Sequence, residues 1–138
     1  MQPTVNYLAV LVAAAVQVVL GFLWYGPVFG KMWMGLMGMS PEKMNEAKAK
    51  GGMGKNYALM TLSTLVMAYV LAHFVFYTGA TMFFNGIQTG FWIWLGFLAT
   101  TMLGSVLWEG KSWKLYALNV SYYLVGLCLM GGILAMWR

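Results

Sequence analysis

Apolar side chains fall into four long runs along this chain, 5–25, 57–79, 86–108 and 115–137, and these runs contain one histidine but no Asp, Glu, Lys or Arg. All eleven charged side chains lie between the runs or at their ends. A run of about 20 apolar residues, rising 1.5 Å per helical residue, matches the roughly 30 Å hydrocarbon core of a bilayer. In lipid a spanning segment must satisfy its own backbone hydrogen bonds, which a helix does. The pattern predicts an all-α integral membrane four-helix bundle, with residues 1–138 forming one transmembrane domain.

The segments between the runs set the expected orientation. Loop 26–56 carries Lys31, Lys43, Lys48, Lys50 and Lys55 against Glu42 and Glu46, the loop near Ala80–Asn85 carries no charge, and loop 109–114 carries Glu109, Lys111 and Lys114. Lysine resists translocation, so loops 26–56 and 109–114 are expected in the cytoplasm and both termini outside a bacterial inner membrane. Arg138 alone runs against that bias. The first run is expected to remain uncleaved, because MQPTVN has no basic residue and the apolar stretch continues past Ala13 and Ala15 to Trp24. Trp24, Trp33, Trp108 and Trp113 would anchor the inner interface, and Tyr7, Tyr77, Trp92 and Trp137 the outer one.

The first loop has internal order. Gly26-Pro27 should break the first helix at the membrane surface. Phe29, Trp33, Leu36 and Met37 then recur at the spacing of an interfacial amphipathic helix. Ser40-Pro41-Glu42 reads as an N-cap, a first-turn proline and a first-turn acid, opening a short polar helix through Lys50 that ends at Gly51-Gly52. Met32, Met34, Met37 and Met39 have the thioether chemistry of a copper(I) site, but methionine is more commonly used in packing.

Composition narrows the function. The chain is 62% hydrophobic, 17% aromatic and 8% charged, with a net charge of +5. The basic residues flank helices instead of forming one polar face, so their partner is anionic lipid and not nucleic acid. The single cysteine, Cys128, excludes an intrachain disulfide and a cysteine zinc site. The sequence has no Ser-His-Asp set, no phosphate-binding glycine loop and no paired buried carboxylates, and enzyme activity is not expected.

Within lipid, helices associate through small residues and interhelical hydrogen bonds. Inward stripes are expected along Asn6, Ala9, Ala13, Gln17 and Gly21; along Thr64, Ala68 and Ala72; along Gly86 and Gly90, then Gly96, Thr100 and Gly104; and along Gly131 and Ala135. Such stripes equally suit self-association. A parallel duplication is also legible. Lys55-Asn-Tyr57-Ala58-Leu59 matches Lys114-Leu-Tyr116-Ala117-Leu118, Leu23-Trp24-Tyr25-Gly26 matches Leu107-Trp108-Glu109-Gly110, and Lys31-Met32-Trp33 matches Lys111-Ser112-Trp113.

A few polar residues stand out. His73 lies between Tyr69 and Tyr77 at i±4, so the three share a helix face. An ionisable group at that depth is a default functional candidate. It reads as a neutral hydrogen-bonded packing residue, as a proton- or ligand-handling group in an outward cavity, or as an axial ligand to haem or chlorin. No cofactor is otherwise expected. Gln17 near mid-membrane and Asn119 one turn into the last run would hydrogen-bond across helices or line a polar path. Gln88 belongs to the same candidate path. Glu109 would snorkel into a salt bridge with nearby lysines or act as a gate carboxylate.

The runs GFLWYGPVFGKMWMGLMG, FWIWLGFLATT and WEGKSWKLYALNVSYYLVGLCLMGGILA together cover most of the chain. They resemble a bacterial membrane family catalogued as domain of unknown function 1761. The most specific element is Trp-Tyr-x-Pro-x-Phe-Gly-Lys-x-Trp, filled here by Trp24, Tyr25, Pro27, Phe29, Gly30, Lys31 and Trp33. The resemblance implies a small four-helix membrane protein and carries no activity, cofactor or catalytic residue.

The leading expectation is a non-enzymatic structural or accessory subunit in the bilayer, forming a homo-oligomer or packing against a larger membrane complex. A small transporter or channel for a neutral or weakly basic solute is the alternative. Pigment or haem binding through His73 is the third.

Overall fold

The computed structural model of this chain describes residues 5–38, 40–49, 51 and 53–137. Expectations placed on residues 1–4, Met39, Lys50, Gly52 and Arg138 lie outside the described residues. Four helical segments, Tyr7–Val28, Gly54–Tyr77, Phe83–Leu107 and Trp113–Met136, are long and apolar enough to cross a membrane. They form an all-helical four-helix bundle, as the hydrophobic pattern predicts.

Helix boundaries follow local chemistry. Helix α1 (Tyr7–Leu23) starts where the Asn6 side chain accepts the Leu8 and Ala9 amide N–H groups, relieving two of its orphan donors. It runs into a π turn, Trp24–Val28, where Gly26 leaves helical geometry at φ −111°, ψ −105°. Helix α2 (Gly30–Met37) stops at Gly38, whose φ of +69° suits glycine. Ser40 caps α3 (Pro41–Ala49) by accepting the Lys43 N–H at 3.2 Å, as the sequence predicts. Helix α4 (Met53–Tyr77) ends at the Thr78-Gly79 turn, where the Gly79 N–H returns to the Phe76 carbonyl.

Helix α5 (Phe83–Ile93) continues through a π segment, Trp94–Ala99, and a 3₁₀ turn, Thr101–Leu103, into the short α6 (Gly104–Leu107). Ser112 Oγ accepts the Leu115 N–H at 3.0 Å and opens α7 (Trp113–Met136).

Helix α7 is the hub, packed against α1 and α4 on one side and α5 on another, while α4 and α5 touch little. Fully buried Ala9, Ala13 and Ala68 let α1 and α4 approach closely, and Leu71, Val75, Leu127 and Met130 fill the space against α7. Close van der Waals packing is the main attraction available between helices in lipid. The seam between α5 and α7 is tighter. A Cβ on Gly86 would lie 2.1 Å from the Gly131 carbonyl oxygen, and one on Gly90 would lie 2.2 Å from that of Leu127. Backbone meets backbone there, which only glycine permits.

One expectation needs correction, and its cause lies in the third span, whose ladder changes register twice between Trp94 and Leu103. The stripe Gly96, Thr100 and Gly104 does not pack inward. Gly96 faces open space, and Gly104 meets only the Trp108 ring, at 3.7 Å. Register changes rotate these positions away from α7, and the Thr100 and Thr101 hydroxyls donate to the Gly96 and Phe97 carbonyls of their own segment. The stripes on α1 and α4, and the Gly86, Gly90, Gly131 and Ala135 seam, do line the interior.

Residues paired by the duplication reading make unlike contacts. Trp24 is tied to α7, whereas Trp108 is 87% exposed. Trp33 packs on Tyr25, whereas Trp113 packs on Tyr116 of its own helix.

Candidate functional site at the lysine-bearing end

The residues of the Trp-Tyr-x-Pro-x-Phe-Gly-Lys-x-Trp motif fold into one joint at the end of the bundle that carries loops 26–56 and 109–114. Pro27 has no N–H to continue the α ladder, and the chain responds by widening. Phe29 N–H reaches back to the Trp24 carbonyl at 2.9 Å, a π-type bond, and Trp33 N–H then bonds to the Phe29 carbonyl at 2.8 Å. Gly30 is needed at this bend because a Cβ there would sit 2.9 Å from the Tyr25 carbonyl oxygen.

Two side chains pin the joint to α7. Trp24 Nε1–H donates to the Leu118 carbonyl at 3.1 Å, and Tyr25 OH donates to Asn119 Oδ1 at 2.6 Å. The rings close the remaining space. Trp24 meets Phe29 at 4.8 Å between centroids, Tyr25 meets Trp33 edge-on at 5.8 Å, and Tyr25 meets Tyr122 edge-on at 5.3 Å. Edge-to-face and tilted pairs of this kind add to simple area burial. The joint therefore holds α2 at a fixed angle, with Lys31, Met32, Gly35 and Met37 exposed on it.

Further polar contacts continue inward from the joint. Tyr122 OH donates to the Gln17 carbonyl at 2.9 Å, directly over Gly21, where a Cβ would meet that hydroxyl at 2.8 Å. Trp94 Nε1–H donates to the Val120 carbonyl at 2.7 Å, and Tyr116 OH donates to the Ala99 carbonyl. Ala99 ends the π segment, where a change of ladder register frees carbonyls that lipid cannot satisfy. Sequence reasoning missed Tyr116, Tyr122, Trp94 and Gly126. The readable signal was a polar-tipped ring on one helix level with a glycine or a helix irregularity on its neighbour.

The predicted polar residues do not converge. Gln17 is 2% exposed and packs onto Gly126, and its Oε1 is buried without a hydrogen-bond partner. Asn119 belongs to the joint. Gln88 is exposed and lines a cleft between α4 and α5 that none of Gln17, His73, Asn119 or Glu109 touches. Glu109 is exposed in the turn before α7, and Met32 and Met37 are exposed on α2.

His73 sits at the other end of the molecule. Its Nδ1 lies 2.9 Å from the Tyr69 carbonyl, which can only accept, so Nδ1 is the donor of that bond. Tyr69 contacts the imidazole edge-on at 4.7 Å and stacks on Tyr7 at 6.4 Å. Tyr69 and His73 thus share a face, as their spacing predicts, while Tyr77 packs edge-on against Phe76.

The family model described as "Protein of unknown function (DUF1761)" matches residues 8–135, and the chain belongs to that family. The match spans the joint and all four membrane-length helices. No curated protein and no solved structure matches the chain.

Proposed function

We propose that this membrane protein is a non-enzymatic structural or accessory subunit that self-associates or packs against a larger membrane complex. The observation that carries the reading is the joint. Its aromatic rings and two hydrogen bonds to α7 are spent on holding α2 rigidly against the bundle, so that an amphipathic ledge with Lys31, Met32 and Met37 exposed is presented at one end. A ledge fixed in this way lowers the ordering cost of docking a partner. Several polar-tipped side chains support the same reading, since Trp24, Tyr25, Trp94, Tyr116 and Tyr122 are engaged in part-buried bonds within the chain. The lysine bias supports a ledge on the cytoplasmic face, with both termini outside, in the bacterial inner membrane that this reading assigns.

Lysine-directed crosslinking in intact membranes tests this. We expect one discrete species larger than the chain, weakened when Trp24→Phe and Tyr25→Phe are combined to loosen the joint. Recovery of uncrosslinked chain alone would overturn the reading. A transporter or channel for a neutral or weakly basic solute has one point in its favour, the exposed Gln88 in the α4–α5 cleft. Liposome flux that responds to Gln88→Leu would support that alternative.

A further inference from the structure

The cleft between α4 and α5, at the end opposite the joint, follows from the way the two helices are held. Helix α5 is drawn onto α7 by the glycine seam, α4 is drawn onto α1 and α7, and the two diverge below the short turn that connects them. The space left between them has a volume of about 510 Å³, within the roughly 300–1,000 Å³ typical of small-molecule sites.

Its lining changes character with depth. Near the connecting turn lie Thr78, Asn85, Gln88 and Thr89. The two hydroxyls are already occupied, Thr78 Oγ1 donating to the Val75 carbonyl, Thr89 Oγ1 donating to the Asn85 carbonyl, and the pair lying 3.2 Å apart. The Asn85 and Gln88 side chains are exposed, and their amides are the groups left to meet a ligand. Deeper in, the walls are Phe74, Trp92, Ile93 and Phe97, with Trp92 66% and Phe97 63% exposed. Among the described residues, no charged side chain lines the cleft.

We propose that this cleft binds a neutral amphiphile. Its uncharged head of ester or carbonyl oxygens would accept hydrogen bonds from the Asn85 and Gln88 amides, and its hydrocarbon chain would lie along Phe74, Trp92 and Phe97. The polarity gradient runs in the same direction as that of a lipid-like molecule in the outer half of a bilayer. A phosphate-headed lipid calls for Lys or Arg, which are the residues that recognise phosphate well, and the lining offers neither among the described residues. The site is independent of the ledge and does not rest on the accessory-subunit reading.

Native mass spectrometry of the delipidated full chain, titrated separately with a diacylglycerol and with a phosphatidylglycerol of the same acyl chains, tests the proposal. We expect one diacylglycerol per chain, at least fivefold tighter than the phosphatidylglycerol. Gln88→Leu, at an exposed position that leaves folding undisturbed, should weaken diacylglycerol binding about fivefold or more, at roughly 1 kcal/mol for a lost hydrogen bond. Asn85→Leu should act in the same direction. A brominated acyl chain should quench tryptophan emission less in a Trp92→Phe variant. Equal binding of both lipids regardless of Gln88, preference for the phosphatidylglycerol, or no bound amphiphile would each overturn the proposal.

Discussion

Replacing Gly86 by alanine puts the packing argument to its sharpest test, because Gly96 on the same span is its internal control. A Cβ at Gly86 would come within 2.1 Å of the Gly131 carbonyl oxygen and 2.7 Å of Ala135 Cβ, against the 3.4 Å at which ordinary contact begins. To accommodate it, α5 and α7 must part by about 1 Å, a gap that forfeits a quarter to a half of the attraction between facing atoms. Overpacking of this kind costs about 1–3 kcal/mol. At Gly96 a Cβ meets nothing within 4 Å, so Gly96→Ala should not lower stability and should raise it by up to about 1 kcal/mol as glycine leaves a helical segment. Both variants remove one glycine from a helical segment, so the general glycine penalty largely cancels between them. Unfolding in detergent micelles, followed by circular dichroism, reads the difference directly. If the two variants were equally stable, the close α5–α7 seam would be wrong.

Three further outcomes follow from the same contacts. Tyr25→Phe and Asn119→Leu, combined in a double-mutant cycle of unfolding free energies, should couple by about 0.6–1.7 kcal/mol, from the average to the maximum for hydrogen bonds between membrane helices; zero coupling would refute the Tyr25–Asn119 bond as one of the joint's two ties to α7. Gln17→Met should leave stability unchanged or raise it by up to about 2 kcal/mol, because Gln17 Oε1 is buried without a partner; a loss above that size in the same assay would mean that the amide is satisfied. Ser112→Ala should lower the unfolding free energy by about 1 kcal/mol through loss of the α7 cap, and no change would show the cap to be dispensable.

Much of the architecture was legible because lipid imposes simple rules. Charge exclusion located the spans to within a few residues, and small-residue spacing found the α1 stripe from Asn6 to Gly21 and the Gly86, Gly90 and Gly131 seam. Ser40 was readable as a cap because its role is local. The irregular third span was not readable. Trp94–Leu103 has the composition of ordinary helix, and its π and 3₁₀ turns are matched by contacts to α7 through Trp94 and Tyr116, which lie 26 and 17 residues from their acceptors. The same irregularity turned the Gly96, Thr100 and Gly104 stripe outward.

The candidate site was legible as a motif but not as a device. Order and spacing singled out Trp24 through Trp33, whereas their purpose as a clamp depends on Tyr122 and on Leu118 and Asn119, which lie 94 residues along the chain from Trp24 and Tyr25 respectively. His73, Gln17 and Gln88 were flagged for their polarity in apolar runs, yet each faces a different neighbourhood. Polarity marks a residue as costly to bury, while the direction it faces depends on helix rotation and tilt, which the partner helices set.

The most direct test of the accessory-subunit account is native mass spectrometry of the gently solubilised particle with an in-line visible spectrum. The account predicts a defined homo-oligomer or a hetero-assembly containing this chain. A partner-free monomer under the same gentle conditions would contradict it, and visible absorption lost on His73→Ala would reassign the chain to cofactor binding.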